Sequence, residues 1–155
     1  MATPLSATID IDAAPSDVWA VVSDLKRMGE WSPQCAAMKV FGPVRAGTRT
    51  VNVNRRGRLV WATSAKVVRF EPERLLAFRI VENRTVWSYF LEPTDTGTRL
   101  TERREAPGGT SKVSDALIKI ALGGATKFEA ELERGMNATL SKIKASAEGA
   151  RTVGS

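Results

Sequence analysis

Residues 74–106 read RLLAFRIVENRTVWSYFLEPTDTGTRLTERREA. The turn-forming breaks Glu82-Asn83 and Asp95-Thr96-Gly97 divide this stretch into three strands, about 74–82, 84–93 and 97–106. The links are too short for crossover helices, so the strands form an antiparallel meander. Alternate side chains of a strand face opposite ways, so each strand offers two candidate faces. The bulkier face carries Leu76, Phe78 and Ile80 in the first strand and Trp87, Tyr89 and Leu91 in the second. In the third, Leu100 turned inward takes Thr98, Glu102 and Arg104 with it.

Upstream, the same density of β-branched and aromatic residues predicts strands near 36–42, 48–55 and 58–71. Gly42-Pro43, Ala46-Gly47, Arg56-Gly57 and Glu71-Pro72 punctuate them. In the long strand Trp61, Thr63 and Ala65 form the expected inner face, which a bulge would reverse in part. Residues 5–12, LSATIDID, alternate with a period of two and add a strand at the start. Pro15 and Asp17 suit the first turn of a short helix, and Val18, Val22 and Leu25 follow at helical spacing. A second short helical piece spans about 24–29 and is predicted to stop at Gly29.

After Pro107-Gly108-Gly109, apolar residues return at three- or four-residue steps from Val113 to Ile143. They predict a long helix over about 111–147, with a bend or close approach at Gly123-Gly124 and a frayed tail over 148–155. The expected architecture is α+β: a curved six- to seven-stranded antiparallel sheet around a long C-terminal helix, with two short helices after the first strand. One helix covers only part of so wide a sheet, and the uncovered remainder forms a cavity.

Composition narrows the chemistry. The chain has 155 residues, 43% hydrophobic and 26% charged, which fits one folded domain over 1–155 with its core at about 5–147. Histidine is absent, which excludes histidine-based triads, histidine general bases and histidine metal sites within the chain. The single cysteine, Cys35, has no histidine to activate it and reads as a structural thiol in a loop near the cavity mouth. No metal and no cofactor are expected. One cysteine and no signal-type start point to a cytoplasmic protein, and no apolar run is long enough for stable membrane insertion. The net charge of +6 is spread along the chain, densest at Arg55, Arg56 and Arg58. Without interleaved exposed aromatics it reads as a solvated basic surface with no nucleic acid partner.

Several pieces together resemble a known family. They are IDIDAAPSDVWAVVSDLKRMGEWSP near the start, Trp61, Val67-x-x-Phe70-x-Pro72, Trp87-x-Tyr89-x-Leu91-Glu92-Pro93 and Gly97-Thr98-Arg99-Leu100-Thr101-Glu102. Their order and spacing, over about 5–145, are similar to the START-like (SRPBCC) superfamily and its polyketide cyclase/dehydrase branch. The resemblance implies a helix-grip fold, like that of the birch pollen allergen group. It also implies a deep pocket for lipid-, polyketide- or steroid-like molecules.

The expected function is binding of a hydrophobic small molecule for carriage or sequestration. Alternatives are a metal-free aromatase/cyclase or dehydratase using Glu102, Tyr89 and an arginine, and a protein-interaction module of the toxin or chaperone-activator type. The expected state is a monomer or weak homodimer. The strand faces supply Trp61, Thr63, Leu76, Phe78, Ile80, Trp87, Tyr89, Leu91, Leu100, Glu102 and Arg104 as pocket residues. The helices add Met28, Trp31, Leu117, Ala121, Phe128 and Leu132. Each aromatic has an ordinary reading as core packing, and Trp19 reads as packing outright. Glu102 draws most interest, because a carboxylate in apolar surroundings must find a cation or take up a proton. Arg104, Arg79 and Arg99 are its candidate partners.

Overall fold

The computed structural model describes residues 5–33, 35–82, 84–106 and 125–154. Strand β1 (Leu5–Ile11) leads into helix α1 (Pro15–Val22), a 3-10 turn (Leu25–Arg27) and helix α2 (Met28–Trp31). Six strands follow: β2 (Cys35–Phe41), β3 (Arg49–Arg56), β4 (Leu59–Glu71), β5 (Leu75–Ile80), β6 (Val86–Pro93) and β7 (Thr98–Glu105). Helix α3 (Ala125–Gly154) closes the chain. Every neighbouring pair of strands is antiparallel. The order in the sheet is β1-β7-β6-β5-β4-β3-β2, a meander whose first strand returns to pair with the last. This is the α+β helix-grip arrangement.

Local chemistry accounts for the elements. Pro15 opens α1, where its missing N–H is no loss, and Asp17 sits in the first turn. Two-residue alternation makes the strands, and the buried residues of β7 are Thr98, Leu100, Glu102 and Arg104. Helix α3 packs on β1, α1 and α2, so the sheet's inner face is covered mainly at the β1 side. There Ile11, Val18, Leu25, Leu100, Leu140 and Ile143 are essentially sealed from solvent. Each such side chain contributes about 1.5–3 kcal/mol of burial.

Two boundaries differ from the sequence reading. The second helical piece does not stop at Gly29, which lies inside α2. A Cβ there would meet the Ala36 carbonyl oxygen at 2.4 Å, so this glycine permits a close approach of α2 to β2. Helix α3 continues to Gly154, past the expected end near 147. An isolated glycine such as Gly149 weakens a helix by about 1 kcal/mol and need not end it. The long strand carries the bulge: Val67 pairs with Phe78 but Arg69 pairs with Ala77. Past it Phe70 turns inward opposite Leu76 and packs on Trp19, with ring centroids 5.4 Å apart. The start of the predicted helix and its bend at Gly123-Gly124 lie outside the described residues.

Candidate functional site

The inner face of the sheet and the helices line a partly open cavity of about 120 Å³. That is several times the ~30 Å³ share of one liquid water. Its apolar lining comes from Met28 of α2, Met38 of β2, Trp61 of β4, Phe78 and Ile80 of β5, Trp87 of β6 and Leu132 of α3. Thr63, Tyr89, Glu102 and Arg104 also lie on the wall, where strand parity put them. Trp31, Leu76, Leu91 and Leu100 are buried but sit away from the cavity. They have the expected orientation. Leu91 and Leu100 pair near the end of the sheet where the Thr98 hydroxyl donates to the Ala13 carbonyl just before α1, at 2.7 Å, and helices occupy the space they face. Leu117 and Ala121 lie outside the described residues, as does the side chain of Phe128.

Sequence reasoning missed Ser32, Met38, Asn52 and Asn54 and placed Cys35 near the cavity mouth; all five line the cavity. The asparagines are the more instructive. In β3 the valines face out, Val51 at 41% and Val53 at 40% exposure, while Thr50 and Asn52 are buried. This inverts the usual rule that a strand turns its apolar face inward. A hydrogen-bond chain makes the inversion tolerable. The Thr50 hydroxyl donates to Asn52 Oδ1 at 2.8 Å, and the Asn52 and Asn54 amides donate to Thr63 Oγ1 at 3.2 and 2.9 Å. One wall of an otherwise apolar cavity is therefore polar and satisfied.

The opposite polar group is a dyad. The Tyr89 hydroxyl donates to Glu102 Oε2 at 2.8 Å, and both residues are buried. Oε1 of Glu102 has no hydrogen-bond partner among the described residues. Burial raises the Glu102 pKa from an ordinary 4.5 to about 8, outweighing the lowering by the Tyr89 hydrogen bond. The carboxyl is therefore mostly neutral at pH 7, with a proton to offer. Burial, and then Glu102 itself, pushes the Tyr89 hydroxyl well above its usual value. Two of the candidate cations lie elsewhere: Arg99 pairs with Asp10 at 3.1 Å, and Arg79 is exposed on the outer face. The Arg104 guanidinium is 6.0 Å from the Trp87 ring centroid.

Glu102 also borders a second chamber of about 30 Å³, shared with Ser32, Trp87, Leu132, Met136 and Thr139. Cys35 is on the cavity wall as the first residue of β2, not in a loop. Burial lifts its thiol to about 11, and its Sγ contacts the Ala37 carbonyl at 3.4 Å. No group of three or more acidic or cysteine side chains suited to a metal occurs among the described residues. No helix among them is long and apolar enough to cross a membrane.

The family of polyketide cyclase / dehydrase and lipid transport proteins matches residues 3–148. The chain belongs to this family. No curated protein matches it by sequence. Among solved structures, it is similar to the di-domain ARO/CYC StfQ from the steffimycin biosynthetic pathway, at 17% identity and a TM-score of 0.74. That match covers 96% of this chain and 51% of StfQ, so the chain spans about half of the longer protein. The Zhui aromatase/cyclase from Streptomyces sp. R1128 is similar at 16% identity and a TM-score of 0.73, covering 96% of this chain and 94% of that one. The AHSA1-like protein from Aeromonas hydrophila is similar at 15% identity and a TM-score of 0.65, with coverage of 96% and 94%. At these identities the likeness is one of fold, which family members put to different uses.

Proposed function

We propose that this family member binds a compact hydrophobic molecule in the cavity, for carriage or sequestration, and that the ligand accepts a hydrogen bond from Glu102. The observation that carries this reading is Oε1 of Glu102, a buried polar atom without a partner on the wall of an apolar space. Leaving such an atom unpaired costs about 1–3 kcal/mol, which a ligand carbonyl or hydroxyl oxygen recovers. Apolar contact supplies the rest, at about 0.8 kcal/mol per buried CH₂. Native mass spectrometry of gently purified protein tests the reading, together with titration of an apolar fluorescent probe. The expected results are a co-purified small molecule and probe binding that Phe78→Asp weakens. Probe binding that ignores Phe78→Asp overturns the cavity assignment.

A second reading, an aromatase/cyclase or dehydratase, is favoured by the Glu102–Tyr89 dyad. A carboxyl with a pKa of about 8 can give and recover a proton near neutral pH, as general acid–base catalysis requires. Here Glu102→Gln abolishes turnover of a poly-ketone substrate and leaves probe binding nearly intact. Under the binding reading no turnover is seen with either protein.

A further inference from the structure

The outer face of the sheet carries a pattern that the cavity does not explain. Lys39 of β2 stands opposite Val51 of β3, which stands opposite Ser64 of β4. In the next pairs outward, Ala37, Val53 and Ala62 form one row, and Arg55 faces Val60. Val60 is 58% exposed, and Val51 and Val53 are also open to solvent. The neighbouring row on the other side is cationic: Arg49 pairs with Lys66, and Lys66 pairs with Arg79. All three side chains are exposed. Like charges placed directly opposite each other destabilise a sheet. Phe41, 52% exposed, extends this row at the edge strand, with the Lys39 ammonium 5.5 Å from its ring centroid. Among the described residues the acid that reaches this valine face is Glu82, which accepts hydrogen bonds from the Ser64 backbone N–H and hydroxyl.

We propose that this valine-and-cation face docks on the surface of an anionic lipid bilayer. The charge pattern selects the partner. Exposed valines between Arg55 on one side and Arg49, Lys66 and Arg79 on the other match a surface with phosphates outside and acyl chains beneath. A second copy of the chain using the same face would set cations against cations. A nucleic acid would satisfy the cations and leave the valines in water. The inference is independent of what fills the cavity. The face is the reverse side of the strands that bear Asn52, Asn54, Trp61 and Thr63, so docking leaves the inner surface unobstructed.

Co-sedimentation with phosphatidylcholine vesicles, with and without phosphatidylserine, tests the proposal. Binding is expected only with phosphatidylserine, and it weakens as sodium chloride is raised. Lys66→Ala lowers affinity about fivefold and Val60→Asp about tenfold or more. Both positions are exposed, and circular dichroism checks that the variants fold. The salt titration of the unaltered chain needs no variant. No binding to phosphatidylserine vesicles overturns the proposal, as does binding indifferent to both substitutions. A concentration-dependent dimer that Val60→Asp abolishes, or uptake of an oligonucleotide duplex without vesicle binding, overturns it in favour of those partners.

Discussion

Glu102 shows how one side chain couples stability to pH. Its folded pKa of about 8 lies above the value near 4.5 of an ordinary carboxyl. The folded protein therefore holds a proton that the unfolded chain releases between these two values. A raised pKa gives stability that is complete at the acid end and fades as pH climbs through the window to about 8. The change is on the order of a few kcal/mol, since each pH unit of displacement corresponds to about 1.4 kcal/mol. Glu102→Gln removes the titrating proton and keeps a neutral group of similar shape. Urea denaturation from pH 5 to pH 9 is expected to show falling stability for the native chain and a flatter profile for the glutamine variant. Equal slopes would mean that the carboxyl is already ionised at neutral pH. Cys35, by contrast, stays a thiol: with its pKa near 11, alkylation by iodoacetamide at pH 8 is expected to be much slower than for a free cysteine.

Among the elements, β5 and β6 were readable because one face of each carries clearly more bulk, and β7 because Leu100 orients its face; the structure buries those faces. β3 was read as a strand but its faces were not, because its valines point to solvent and its asparagines inward. The information was nonetheless present. With Trp61 inward and Arg56 opposite Leu59 across the Gly57-Arg58 turn, Asn54 must share a face with Trp61, and Asn52 with Thr63. The bulge past Val67 and the register shift between Cys35 and Ala37 depend on packing that no local pattern encodes. Gly29 shows the same limit: alone it looks like a helix stop, yet it marks contact between α2 and the backbone of Ala36. Gly29→Ala is expected to lower stability by ~1–3 kcal/mol, as overpacking does, and to shift the midpoint of chemical unfolding. An unchanged midpoint would show that α2 moves away from β2 freely.

At the scale of the whole molecule, the cavity makes stability depend on its occupant. A ligand at a hundred times its dissociation constant adds about 2.7 kcal/mol. For a chain of this size that raises the melting temperature by roughly 5–10 °C. A thermal-shift screen of compact ketones and phenols is expected to find such compounds, and Phe78→Asp should cancel their effect. The short turn at Gly57 has a wider consequence. Its φ of 61° is readily adopted by glycine, and it fixes which residues of β3 meet β4. Were the chain to gain or lose one residue there, β3 would turn over: Val51 and Val53 would move inside together with Arg49 and Arg55, and Asn52 and Asn54 would move out. A single bend thus keeps two arginines in water and two asparagines on the cavity wall. A one-residue insertion at Gly57 is expected to strip the cavity of its polar wall and to lower stability, because Arg49 and Arg55 turn inward, and urea denaturation checks it.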